Sequence, residues 1–261
     1  MKKIIPMVLI IFIVIIILCV LFLPALIKSR AASQIEKELP SLLGKAESYQ
    51  VEIHSPLFQL IQGKIEQLKV IGKRVEIKEN PVIQNLELNV IAVKVNFKSK
   101  KIEQLKTSSF TCLFLEQDLN DYLKNRTKPF PIEDPHLELR ENQIYVKGVY
   151  PVLFAKVPVD LLASVYVDNG NRVLVRLQSV ELSSINVSQK FFGMAEGWVN
   201  PLVDLRTMLD LEELVNLYNL VDLNKGNLSV KIDKLIIKPG TLWLKGNFIF
   251  PQPSPQPPGK M

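Results

Sequence analysis

The sequence predicts an α+β fold: an N-terminal transmembrane helix followed by a long, strongly curved antiparallel β-sheet wrapping short helices. Three observations carry this. The chain opens on an unbroken apolar run. Most later segments alternate apolar and polar residues with the period of two that marks a half-buried strand. In several of them the phase of that alternation slips by one residue part-way along.

Lys2 and Lys3 precede a charge-free run from Ile4 to Ile27, which at ~1.5 Å per helical residue covers a hydrocarbon core of ~30 Å. A cleavable secretory signal has a shorter apolar centre and a small-x-small cleavage site, whereas this run ends Leu-Pro-Ala-Leu-Ile-Lys. Residues 1–30 therefore read as an uncleaved signal anchor. Ile17 and Leu18 are bulky where lipoprotein processing before Cys19 needs small residues. Lys2, Lys3 and the amino terminus outweigh Lys28 and Arg30 by a thin margin, which favours a cytoplasmic N-terminus. Residues 31–250 are then an extracytoplasmic domain on a single-pass tether in the cell membrane. Cys112 has no exported partner, so no disulfide framework is expected there.

Spacing of Ile35, Leu39, Leu42 and Leu43, with Gly44 as a stop, predicts a helix leaving the membrane, limited or kinked by Pro40. Strands are expected over 49–54, 82–97, 137–149, 162–182 and 228–250. Leu86, Leu88 and Val90 share one parity, then Ile91, Val93, Val95 and Phe97 the other; Val230 and Ile232 likewise give way to Leu235 and Ile237. A slip of one residue swaps faces unless a bulge absorbs it, and bulges bend the strand that carries them. Burial of both faces at those points is the competing reading.

Turns fall between these strands. Pro239 and Gly240 suit the central positions of a type II turn, and "DNGN" at 168–171 predicts a loop of about five residues that pairs Val167 with Val173. Helices are expected on Leu115, Leu119, Tyr122 and Leu123, on Phe191, Phe192, Ala195, Trp198 and Val199 with Ser188 as N-cap, and from Asp210 with Glu213 completing a capping box. "KIEQLK" at 64–69 and 101–106 is followed by divergent sequence and reads as coincidence. "PQPSPQPPGKM" at 251–261 is a proline-rich tail without a core, extended and disordered.

Removing Lys2 and Lys3 leaves 30 basic against 26 acidic residues, a mild +4 that suits anionic headgroups. The charges are dispersed, and no basic run with interleaved aromatics points to nucleic acid. Catalytic chemistry has little to work with: His54, His136 and Cys112 lack metal-ligand spacing, the hydrolase, metalloprotease and phosphate-loop motifs are missing, and no cofactor is implied. Glu212-Glu213 sits where a helix start favours negative charge.

What remains is a surplus of large apolar residues in short segments flanked by Gly or Pro. Core packing explains any one of them. Together, on a tethered curved sheet, they suit a groove for acyl chains, and the candidate lipid-binding residues are Leu57, Phe58, Leu60, Ile61, Val93, Val95, Phe97, Phe191, Phe192, Trp198 and Trp243.

"VEIHSPLFQLIQGKIEQLKVIG", then "IQNLELNVIAVKVNF", "FLEQDLNDYL" and the closing "LSVKIDKLIIKPGTLWLKGNF" resemble the LmeA-like phospholipid-binding family of bacterial envelope proteins. The resemblance covers residues 30–250 and implies a fold like the tubular lipid-binding (TULIP) domains, with a phospholipid ligand and no catalysis. It places Leu57, Phe58, Leu60 and Ile61 in a helix at a cavity mouth or wall, Gly63 at the turn into the next strand, and Leu119, Tyr122 and Leu123 as anchors of the second helix. The chain departs from the pattern in keeping its anchor and in its proline-rich tail. A scaffolding protein whose clusters pack internally, and whose tail reaches an envelope protein or cell-wall partner, is the alternative.

Overall fold

The computed structural model describes residues 28–77, 80–96, 101–104, 107–125, 132–152, 155–182, 185–186, 196–197, 200–205 and 229–249. The expected anchor, the helix from Asp210, the proline-rich tail and most of the segment carrying Phe191, Phe192 and Trp198 lie outside these residues.

Two antiparallel sheets share one continuous apolar core. The first takes β1 (Ser48–His54), β2 (Lys64–Val75), β3 (Ile83–Asn96), β4 (Lys101–Gln104), β5 (Thr107–Leu115), β12 (Ser229–Lys238) and β13 (Thr241–Ile249). Its order is β1-β2-β3-β5-β13-β12, with β4 paired to β3, and it curves strongly into a half-barrel. The second runs β10 (Ile185–Asn186), β9 (Arg172–Leu182), β8 (Ala155–Asp168), β7 (Gln143–Val152) and β6 (Glu133–Arg140), with β11 (Val203–Asp204) on β9. Among the described residues the main helices are α1 over residues 28–43, α2 (Leu57–Ile61) and α3 (Glu116–Asn125). The single sheet expected from sequence is thus two. Alternation marks a strand but not its partner, and nothing local tells β12 and β13 to pair beside β5 rather than continue the second sheet.

The phase slips are real and are what bend the sheet. Along β2–β3 the ladder omits the facing pairs Arg74–Gln84 and Glu66–Ala92. Arg74 (φ 48°) and Ala92 (φ 56°) sit there in the left-handed region. Core positions pass from Val75 and Ile83 to Gly72 and Leu86, and finally to Val93. Both strands slip at the same level, so the pairing register survives while the faces exchange. On β12 the register shifts between Ile232 and Lys234, where Val230 and Ile232 hand over to Leu235 and Ile237. The curvature also needs close approach. Gly246 lies opposite Phe110, and a Cβ on it would stand 2.6 Å from the Phe110 ring, an aromatic covering a strand glycine.

Sheet edges are closed by side chains. On α1, Leu39 and Leu43 are buried and Glu36 Oε1 accepts the Val51 amide at 2.9 Å, so the helix covers the open edge of β1; it continues through Pro40 to residue 43, just before the expected stop at Gly44. Asn120 on α3 pairs with Leu137 of β6 like a strand residue: its Oδ1 accepts the Leu137 amide at 2.6 Å and its Nδ2 donates to the Leu137 carbonyl at 2.7 Å. Glu116 Oε2 accepts the Leu139 amide at 2.6 Å. The outer edge of β9 repeats the device, with Asn200 on both backbone groups of Val175 at 2.6 and 2.8 Å and Glu196 accepting the Leu177 amide at 2.9 Å. Glu-x-x-x-Asn therefore stands at both flanks of the second sheet, satisfying backbone groups that would otherwise be orphaned.

Three local expectations need correction. Residues 137–149 are not one strand but a hairpin, turned at Glu141-Asn142 with Asn142 at φ 59°. The 168–171 loop does pair Val167 with Val173, but Asp168 also pairs with Arg172, so the turn is only Asn169-Gly170-Asn171; the Arg172–Asp168 ion pair closes it. Strand β5 went unanticipated although Ser108, Phe110, Cys112 and Phe114 alternate strictly inward. The Lys238–Thr241 hairpin, with Gly240 at φ 76°, is as expected.

Candidate functional site

The inner face of the half-barrel is assembled by register. At one level Tyr49, Gly72, Leu86, Cys112 and Leu244 line up across β1, β2, β3, β5 and β13. Two levels on, the row is Ile53, Leu68, Val90, Ser108, Phe248 and, on β12, Val230.

Packing along this face is graded. Toward α3 and the second sheet, Val75, Phe114 and Leu242 have no exposed surface, and Leu119 of α3 seals them. Toward the far end Leu68, Leu88, Val90 and Phe248 are half-buried, while Ile53, Ser108, Phe110 and Val230 beside them stay buried. The Phe110 and Phe248 rings lie there, tilted, with centroids 5.4 Å apart. Ser108, between Val90 and Phe248, is buried, and its hydroxyl has no hydrogen-bond partner among the described residues. A buried, unpaired hydroxyl costs roughly 1–3 kcal/mol, so this part of the face is apolar with one polar demand unmet.

At the sealed end Arg74 Nη2 and Asp118 Oδ1 pair at 3.1 Å. Burial pushes the Cys112 thiol up to about 12, which keeps it neutral and unreactive. Tyr49, donating to the Gly44 carbonyl at 2.8 Å, is pushed up to about 12 by the same cause. Among the described residues no group of three His, Cys, Asp or Glu side chains could hold a metal ion. His54 and His136 are exposed and stand on different sheets.

The curled sheet thus presents an apolar inner face that is sealed at one end and partly open at the other. The model of the LmeA-like phospholipid-binding family matches residues 24–246. The chain belongs to that family. No curated protein and no solved structure matches it. The family match begins just before α1 and ends within β13, so both sheets are part of the LmeA-like unit. Membership of a lipid-binding family favours binding over catalysis.

Within this LmeA-like fold the residues singled out from sequence part company. On α2 Leu60 turns into the core and Leu57 is half-buried, whereas Phe58 is 73 % and Ile61 65 % exposed. The helix is set by Pro56, whose carbonyl accepts the Gln59 and Leu60 amides at 3.1 Å, and is ended by Gly63 at φ 75°, as the resemblance implied for Gly63. Val93 is buried on the inner face. Trp243 lies on the opposite face, across from Leu113 and Ile236, in phase with Lys245 rather than with Leu242 and Leu244. Val95 is placed by its backbone in β3; its side chain and Phe97, Phe191, Phe192 and Trp198 lie outside the described residues. Sequence reasoning passed over Ser108, Phe110 and Leu88 as site residues. The alternation of β5 would have found the first two.

Proposed function

We propose that this chain binds a phospholipid-like molecule, its acyl chains lying against the loosened half of the inner face, and that residues 1–30 tether it to the cell membrane with the bulk of the chain on the extracytoplasmic side. The observation that carries the reading is the gradient from fully sealed Phe114 and Leu242 to half-buried Leu68, Leu88, Val90 and Phe248 on one continuous face. Each acyl methylene removed from water there contributes about 0.8 kcal/mol, so about ten carbons supply the roughly 8 kcal/mol of micromolar affinity. Ser108 offers the hydrogen bond that a lipid ester or hydroxyl can take up.

The test is photo-crosslinking in the full-length chain, with benzoylphenylalanine replacing Val90 or Phe248 on the inner face and, as controls, Asn89 or Thr111 on the opposite face. Adducts of phospholipid mass at 90 and 248 but not at 89 and 111 are expected. Equal labelling of the two faces, or none, overturns the reading. Cysteine substitutions at Thr111 and Lys147, probed with a membrane-impermeant thiol reagent on intact cells, report the side of the membrane; both should be modified from outside.

A further inference from the structure

We propose that the α2 end of the half-barrel is a bilayer-docking tip, in which Phe58, Ile61, Ile91 and Ile249 enter the membrane interface. The proposal rests on residues 1–30 being the tether, and not on lipid occupying the inner face.

The large apolar side chains left exposed among the described residues are Phe58, Ile61, Ile91, Tyr166 and Ile249. The pairings place all but Tyr166 at one end of one sheet. His54 pairs with Gln67, Gln67 with Ile91, and Ile91 with Thr107; the next residue, Ser108, pairs with Phe248, and Ile249 pairs with Ser229. Helix α2 connects β1 to β2 at this same end. Tyr166 belongs to the second sheet, where the Arg176 guanidinium stacks 4.8 Å from its ring centroid. Single exposed apolar residues need no explanation, but a cluster on one rim marks an interaction surface.

The path of α1 identifies the occupant. Its C-terminal end is fixed at the opposite, sealed end: Lys45 bridges to Glu76 and the Gly44 carbonyl accepts from Tyr49. Glu36 is abreast of Val51. From there the eight residues back to Lys28 rise about 12 Å, and the three residues from Val51 to His54 span about 10 Å. The amino end of α1 therefore reaches the level of α2, and the apolar run of residues 4–27 leads directly into it. A membrane holding that run lies against the tip. The charges agree: Arg30 on α1 and Lys64 at the start of β2 are exposed there, and basic residues flanking an apolar rim favour an anionic headgroup layer. Glu66, which accepts from Gln59 Nε2 at 2.9 Å, is an acidic group beside α2.

The experiment uses the full chain with Cys19→Ala, Cys112 being buried, and single cysteines at Phe58, Ile61, Ile249 or Tyr166 carrying an environment-sensitive fluorophore. The protein is reconstituted in phosphatidylcholine vesicles containing phosphatidylglycerol, and quenching by spin-labelled phosphatidylcholine is compared with quenching by aqueous iodide. At 58, 61 and 249 lipid quenching should rise steadily with the fraction of spin-labelled lipid, and iodide quenching should be at least threefold weaker than at 166. Iodide access at 58 and 61 equal to that at 166 overturns the proposal. So does a chain that fails to float with the vesicles. Lipid quenching that saturates at one spin label per chain would report a held ligand at the mouth, support the binding function and refute docking.

Discussion

The two ends of the seven-stranded half-barrel are made by the same strands and finish in opposite states. At one, Val75, Ile83, Phe114 and Leu242 are sealed beneath α3 and the β6–β7 turn, where Asn142 donates to the Ile237 carbonyl at 3.3 Å and Gly240 to that of Leu139 at 3.4 Å. At the other, Phe58 and Ile61 stand in the open. Hydropathy does not separate them, since a Phe in a short apolar segment occurs at both. What separates them is cover supplied from far away in sequence. The sealed end is therefore where stability resides, and the open end is available for contacts with something other than this chain.

The largest expected effect breaks this contrast directly. Phe114→Ala removes a fully buried ring and should cost about 3–5 kcal/mol, read as a lowered denaturant midpoint at unchanged slope. Phe58→Ala, the same chemical change on a side chain 73 % exposed, should stay within about 0.5 kcal/mol of the parent. Equal losses at the two sites would mean that the ends do not differ.

A smaller loss is expected where the cover is fastened. Asn120→Ala leaves the amide and carbonyl of Leu137 without their partners, at a cost of about 2–4 kcal/mol for two buried groups. Asn200→Ala removes the equivalent pair from Val175 on the opposite flank; Asn200 is half-buried where Asn120 is buried, so water can replace part of what is lost. The order Asn120 before Asn200 in thermal denaturation checks the idea that α3 locks the sealed end.

How much of this was legible depends on whether the signal is local. The slips at Val90/Ile91 and Ile232/Leu235 were visible because a change of parity is written in neighbouring residues, and they located two of the bends. The Lys238–Thr241 hairpin was visible for the same reason. The slip at Arg74 was hidden, since a left-handed arginine carries no turn signature. The division into two sheets was hidden because β5 and β13 meet only through register, more than 120 residues apart in the chain. Of the candidate site, α2 was found as a unit, but which of its side chains turn inward depends on where Leu60 meets the core. Trp243 was misplaced as a lining residue for a related reason: alternation in β13 gives two faces, and only its partners on β5 show that the face of Leu242 and Leu244 is the inner one.

Alkaline pH should loosen the sealed end first, by a modest amount. The Cys112 thiol, raised by burial from 9.0 to about 12, keeps its proton in the folded protein, while in the unfolded chain it ionises near its ordinary value. A raised folded-state pKa leaves stability untouched below pH 9, and the loss grows as pH rises from about 9 towards 12. Linkage puts it at about 1–2 kcal/mol by pH 10. Denaturant melts at pH 7.5 and 10 for the parent and for Cys112→Ala measure it, and the pH-dependent loss should shrink in the variant. Tyr49, shifted to about 12 as well, contributes in the same direction and remains in both proteins.

The smallest effect on stability is the most informative about the open end. Phe58→Ser together with Ile61→Ser removes two side chains that bury little in the folded domain, so the melting temperature in detergent should move by no more than a degree or two. If the end faces a bilayer, those same side chains leave water there, at about 1.5–3 kcal/mol each when fully buried. The domain in vesicles should then lose protection at β2 and β3 near Gln67 and Ile91 in amide exchange while the sealed end, near Val75 and Ile83, stays unchanged. A double variant that exchanges like the parent in vesicles would leave the exposed rim as an accident of packing. One that melts many degrees lower in detergent would show that α2 belongs to the core after all, and the two ends would then differ only in degree.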